Sequence, residues 1–356
     1  MRVRGLSTTR RGSRALWSLV ALSLALVSGS AHAQPFGAWL TLSGPTNGFL
    51  EIDDSDALNP TSAITIEAWV NVRDANGGSG CSSIVGKGYQ SSWWVGLCGT
   101  TFRTYLKGSS SQRNGGVIPV GQWTHIAVTY DGARRKHYIN GEVVLDVAET
   151  GPLPANGIEM RIGSDFNWAH TPQGAIDELR IWNVARTQAQ IREFLNQTIP
   201  LQAGTVDIWP LDNANALGPH DGASMGTTGF LTFPAGPPCS GRTATTLCLQ
   251  DRFLVSGKFR TGAPGTAEGT AQTVDCPNPG SGLFYFFSPD NWEIQAKSLN
   301  GCGLNNRFWF FSAATTNVFY RLEVFDTVGF RNKVYFNYPG PPAPALTDVN
   351  AFATCP

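Results

Sequence analysis

Ile64-Thr65-Ile66-Glu67-Ala68-Trp69-Val70-Asn71-Val72 is the stretch on which the fold turns. Its members Ile64, Ile66, Ala68, Val70 and Val72 are apolar and alternate with a mostly polar set. A period of two puts successive side chains on opposite faces, so the stretch predicts a strand with one face in a core. Residues 123–130 alternate in the same way, with Ile126, Val128 and Tyr130 on one side. Beyond them, His137-Tyr138-Ile139 and Glu142-Val143-Val144-Leu145 flank Asn140-Gly141. Asn-Gly is a hairpin signal, because a type I′ turn needs positive φ at two successive residues. Residues 158–163 and 175–182 read as two more strands. Only residues 187–195 carry a helical pattern, with Thr187 as cap and Ile191, Phe194 and Leu195 sharing a face. The 40 Gly and 22 Pro supply turns, and aromatic side chains are plentiful. Many strands at short spacing predict an all-β chain built as a sandwich or barrel.

Four blocks carry a family resemblance. Ile64-Thr65-Ile66-Glu67-Ala68-Trp69-Val70 resembles the early strand of the laminin-G-like (concanavalin A-like) jelly roll. Gly121-Gln122-Trp123-Thr124-His125-Ile126-Ala127-Val128-Thr129-Tyr130-Asp131 resembles its W-x-H strand, and Tyr138-Ile139-Asn140-Gly141 its hairpin. Gly174-Ala175-Ile176-Asp177-Glu178-Leu179-Arg180-Ile181-Trp182-Asn183 resembles its D-E-x-R strand, which a short helix follows. The blocks occur in the family's order and cover residues 38–200. The resemblance implies an antiparallel jelly-roll β-sandwich and a role in recognising a glycan or a surface protein.

The N-terminus reads as a leader. Arg2, Arg4, Arg10, Arg11 and Arg14 precede the uncharged run 15–27, and small residues end at Ala31-His32-Ala33. Basic, then apolar, then A-x-A is the order of a secretory signal peptide, and the run is short of the roughly 20 residues a spanning helix needs. The expectation is cleavage before Gln34, export to the periplasm, cell surface or medium, and no membrane span in the mature chain. Residues 34–356 then carry a net charge of −5, since the leader arginines have no acidic counterpart among 26 basic and 26 acidic residues. Without a basic cluster, nucleic acid is a poor partner.

The predicted organisation is a signal peptide over 1–33, a jelly-roll domain over 34–236 and a smaller disulfide-bonded β-sandwich over 239–356. Ala235-Gly236-Pro237-Pro238 marks the linker. In the second domain, residues 252–259, 283–287, 292–299, 307–311, 317–325 and 333–336 read as strands. All seven cysteines lie beyond the leader, in a compartment that permits disulfides. Cys81 and Cys98 are expected to pair, and Cys276 with Cys302. Cys239, Cys248 and Cys355 then compete for one bond.

Three chemistries bear on such a chain. Hydrolysis on this architecture needs carboxylates on one strand face. Glu51-Ile52-Asp53-Asp54-Ser55-Asp56 is the nearest match, yet it lacks the final Glu; Asp177-Glu178 are adjacent and point apart. A non-catalytic protein is the better reading, with a carbohydrate-active enzyme or a structural envelope protein as alternatives. Calcium is the second: Asp165 and Asn167, two positions apart in a loop, with Asp177, offer the oxygen ligands Ca²⁺ takes, although Asp and Asn also form ordinary turns. Glycan stacking is the third, on Trp93, Trp94 and Tyr105 with Arg103 nearby, and on Trp168 and His170. Trp93 and Trp94 are adjacent in a predicted strand, so only one of them can enter a one-sided core.

Overall fold

In the computed structural model, the residues described are 37–43, 48–74, 80–165, 173–232, 239–275, 278–340 and 342–356. The expected leader 1–33 and the linker lie outside them. Ile64–Asp74 runs through the middle of an antiparallel sheet, between Thr124–Tyr130 and Gln173–Trp182. The order of that sheet, here sheet II, is Glu142–Ala148, Arg134–Ile139, Thr124–Tyr130, Ile64–Asp74, Gln173–Trp182, Ala38–Ser43 and Gly229–Thr232, with Thr205–Trp209 also pairing with Gln173–Trp182. Asn140 and Gly141 both have positive φ, so the hairpin turn forms where the sequence placed it.

The facing sheet I runs Ala223–Met225, Phe49–Ile52, Met160–Ile162, Cys81–Gly86, Trp94–Cys98, Thr101–Tyr105 and Arg113–Val117. Ile64, Ile66, Ala68, Val70 and Val72 from sheet II meet Leu50, Ile52, Val95, Leu97 and Phe102 from sheet I in one buried core. The alternate residues of 64–72 therefore face away from that core, as a strand requires.

The second half adds two further sheets. Sheet III is Thr246–Leu249, Phe253–Arg260, Phe319–Asp326 and Arg331–Asn337, with Gly269–Thr270 also pairing with Phe253–Arg260; sheet IV is Gln272–Thr273, Ser281–Tyr285, Trp292–Asn300, Phe308–Ala314 and Leu346–Phe352. Phe253, Val255, Leu322 and Val324 close on Phe284, Ile294, Phe308 and Phe310 to make their core. Leu346–Phe352 and Thr246–Leu249 are strands that the sequence reading did not pick out.

The two sandwiches meet through outward-facing residues. Trp39, Trp69 and Trp123 of the first form a buried cluster with Leu195, Val334 and Phe336. Trp69 and Phe336 stack with ring centroids 6.2 Å apart. Arg260 is ion-paired with Glu142, and Arg321 donates to the carbonyl of Trp123 at 3.4 Å. The layer order is therefore I, II, III, IV, with the outer face of sheet II covered by sheet III.

One disulfide expectation needs correction. Cys81 is bonded to Cys98, its partner in cross-strand register. Cys302, however, is bonded to Cys355 and not to Cys276, and Cys239 is bonded to Cys248. The missed strand Leu346–Phe352 explains the difference: it pairs with Phe308–Ala314 and brings the Cα of Cys355 to 5.7 Å from that of Cys302. Cys276 lies outside the described residues.

Candidate functional site

Sheet III covers one face of the first sandwich, which leaves the outer face of sheet I for a ligand. Along Trp94–Cys98 the odd residues Val95 and Leu97 enter the core, and Trp93 just before the strand joins them. Trp94 takes the opposite face, yet it is only 3% exposed. Its ring lies along the sheet over Gly96, where an added Cβ would come within 2.3 Å of the indole and 2.2 Å of the Ser82 carbonyl. The sequence reading expected one tryptophan inside and the other exposed or under a loop; both are buried, on opposite sides of the sheet.

Tyr105 stands in direct register with Trp94, their rings 5.5 Å apart, and Tyr89 follows at 5.9 Å from Tyr105. Polar groups edge this aromatic row. Tyr105 donates to Gln112 Oε1 at 3.1 Å, and Gln90 donates to the Tyr89 hydroxyl at 2.9 Å. Arg103, one pleat along the same face, donates to Asn114 Oδ1 at 2.8 Å. Trp94 Nε1 is buried with no hydrogen-bond acceptor. An unmatched buried donor costs about 1–3 kcal/mol. Tyr89 and the two glutamines were missed from the sequence, because they belong to loops whose return to this face only the fold reveals.

Asp165 follows Met160–Ile162 in sheet I, whereas Asp177 lies in sheet II, where it accepts from the Glu178 amide at 2.9 Å. Among the described residues no group of three or more carboxylate, histidine or cysteine side chains is placed to hold a metal ion. Asn167, Trp168 and His170 lie outside those residues.

Carboxylates near the sequence's hydrolase-like stretch are engaged. Glu51 pairs with Arg161 at 3.0 Å. Asp54 pairs with Lys87, and that hydrogen bond holds its carboxyl below the usual range. Glu178 sits beside Arg180 at 2.9 Å; burial pushes its carboxyl up to about 7, against the pull of Arg180. One constellation the sequence did not disclose joins Ser55 Oγ to His220 Nε2 at 2.9 Å and His220 Nδ1 to Asp207 Oδ2 at 2.8 Å. It has the order of a nucleophilic triad. Asp53, Asp54 and Asp56 flank the hydroxyl, and their negative charge opposes the oxyanion that such a serine must stabilise. Asp207 also accepts from the amides of Gly218 and His220, so the chain of bonds acts as a clip holding loop 210–222 to the Ser55 turn.

A cleft of about 490 Å³ opens at the seam, lined in part by Gln122, Asn140, Glu142, Lys258, Arg260 and Phe319. Four of its polar groups join the sandwiches, Arg260 to Glu142 and Gln122 to Glu268.

Residues 44–192 match the family model of the concanavalin A-like lectin/glucanases superfamily. Pappalysin-1 of Mus musculus is 42% identical over 77 residues, which are 20% of this chain and 5% of that protein. The chain thus spans about a twentieth of the length of that relative. Among solved structures, a candidate carbohydrate binding protein from Bacteroides ovatus shares 19% identity at a TM-score of 0.48, over 55% of this chain and 60% of the other. The heptameric SAP-like pentraxin of Limulus polyphemus shares 17% at a TM-score of 0.37, over 45% of this chain and 82% of the other. The matched residues lie in the first sandwich; the second is outside them.

Proposed function

We propose that the protein is an exported, non-catalytic glycan-binding protein that holds sugar on the outer face of sheet I. The observation that carries this reading is the pair of half-buried rings Tyr105 and Tyr89, backed by the buried Trp94, on the face that the second sandwich leaves open. Aromatic faces receive the apolar C–H side of a pyranose, while Arg103, Asn114, Gln90 and Gln112 meet its hydroxyls. Preformed sites of this kind combine apolar walls with a few placed polar groups. Disulfides accord with an oxidising compartment, as the basic and apolar leader suggests.

A glycan array probed with the purified chain tests the reading. Tyr105→Ala, a half-buried ring on the surface, is expected to weaken the leading glycan at least tenfold, or about 1.4 kcal/mol, with little change in melting temperature. Unchanged binding by that variant sinks the proposal. Repeating the array with chelator tests the separate suggestion of calcium at Asp165, Asn167 and Asp177. Assaying bound glycans for reducing-end release distinguishes a lectin from a hydrolase.

A further inference from the structure

We infer that the second sandwich bears a glycan-binding face of its own, on the outside of sheet IV, so that one molecule bridges two polysaccharide chains. The inference rests on the reading of sheet I for its second half only; the new face stands on separate residues. In Phe308–Ala314 the side chains of Phe308 and Phe310 enter the core, which turns Trp309 and Phe311 outward. In Trp292–Asn300 the same alternation turns out Gln295, Lys297 and Leu299 while Ile294 and Ala296 are buried. Across the neighbouring strands, Lys297, Phe311 and Thr347 stand in one register row, with Trp309 opposite Leu299. Trp292, opposite Tyr285, is 53% exposed.

Trp309 is held in place. Its Nε1 donates to Asn305 Oδ1 at 2.8 Å, and its ring lies on Gly301, where an added Cβ would come within 2.2 Å. Phe311 meets it edge-on at 6.4 Å, and Lys297 Nζ stands 6.0 Å from the Phe311 ring. A pre-positioned ring loses little rotamer freedom on binding.

The composition of the face selects the occupant. Gln295, Lys297 and Thr347 are exposed and break the rings into separate stations. A second protein copy favours a continuous apolar centre, with polar groups at the rim. A nucleic acid needs several cations, and this row offers Lys297. A polysaccharide, with apolar ring faces every few ångströms and hydroxyls between them, matches rings interleaved with amide, hydroxyl and ammonium groups. Because the layers run I, II, III, IV, the outer faces of I and IV look in opposite directions. Two chains bound there are bound on opposite sides of the molecule.

The test uses the purified chain and four insoluble polysaccharides: cellulose, chitin, xylan and mixed-linkage β-glucan. Adsorption isotherms are measured for the native protein, for Trp309→Tyr/Phe311→Ala, and for Tyr105→Ala. Bridging is read as capture of a fluorescent soluble form of the same polysaccharide by protein already adsorbed. The native protein is expected to adsorb and bridge. The Trp309→Tyr/Phe311→Ala variant is expected to lose bridging and at least fivefold in affinity, with an unchanged melting temperature. Adsorption and bridging at native levels by that folded variant overturn the inference. So does failure of the native protein to adsorb to any of the four. So does a native dimer by light scattering that the variant makes monomeric, since a second copy then occupies the face. If Tyr105→Ala adsorbs as the native protein does while the sheet IV variant does not, the reading of sheet I fails and the face on sheet IV stands.

Discussion

Glu67 lies on the outward side of its strand, 1% exposed, and gathers cations around it. Arg186 donates to its Oε1 at 2.9 Å, Trp182 Nε1 donates to the same oxygen at 3.2 Å, and Arg180 stands 3.7 Å away. Removing one member of such a set strands the others without compensation, at about 3–5 kcal/mol. Glu67→Ala is expected to lower unfolding free energy by that amount in urea titrations; a loss under about 1 kcal/mol contradicts the account. Histidines set the response to pH. Burial, helped by Arg135 and Arg113, takes His137 down to about 3, and His125 likewise falls well below 6.5. The unfolded chain takes up these protons as pH falls through 6.5 and the native state does not. Stability is therefore complete above 6.5 and lost toward 3, at about 1.4 kcal/mol per pH unit for each histidine. Glu178, raised to about 7 from 4.5, acts in the opposite sense: its contribution is present below 4.5 and is lost as pH rises through 7. Glu142 is raised by burial as well and adds to Glu178, so the histidine share is read from variants, as the slope of the urea midpoint between pH 6.5 and 4.5. His137→Gln should make that slope less positive, and an unchanged slope refutes the assignment.

At the level of elements, the central strands were legible because one of their faces is core and the other is not. Residues 64–72, 123–130 and 175–182 announce themselves by period two, and Asn140-Gly141 by the backbone it must adopt. The helix Gln188–Phe194 was visible too: Thr187 accepts from the Gln190 amide at 3.2 Å and Gln190 returns the bond, which completes a capping box. Leu346–Phe352 was not visible. It is an edge strand with a mostly exposed pattern, and it lacks the alternation that marks a half-buried strand. Missing it cost the pairing of Cys302. The aromatic row was half legible: Trp94, Tyr105 and Arg103 were named from their strand, but Tyr89 arrives through a turn that carries no periodic signal. Gly96 was also unread, although the row depends on it. Its Cα leaves the floor on which Trp94 lies, and a methyl there would meet both indole and backbone. Gly96→Ala is expected to destabilise the fold by about 1–3 kcal/mol and to weaken glycan binding together with it. Full affinity in a destabilised Gly96→Ala protein, read by array and melt, separates Trp94 from the site.

At the level of the whole molecule, sheet II has no solvent-facing side in its centre. Its inner face packs on sheet I, and its outer face gives Trp39, Trp69 and Trp123 to the seam with Val334 and Phe336. The sequence separates two sandwiches at a Gly-Pro linker, and it offers no sign that they share a buried aromatic layer. The reason is that Trp69 and Trp123 sit at positions read as the polar side of their strands; only a partner sheet accounts for indoles there. Arg192 over the Tyr338 ring, at 3.6 Å, and the Arg260–Glu142 ion pair extend the contact beyond the tryptophans. A seam of this kind couples unfolding. The native chain should therefore melt in a single calorimetric transition, because losing the second sandwich exposes three tryptophans of the first. Phe336→Asp places a charge against Trp69; Arg321, opposite it in register, is already paired with Glu268 and Glu323, and burying a charge without a partner of its own costs several kcal/mol. That variant is expected to show two transitions, with the first accompanied by binding of a hydrophobic dye. One sharp transition at the native temperature in Phe336→Asp means that the sandwiches are stable apart, and the layer order then has no energetic content.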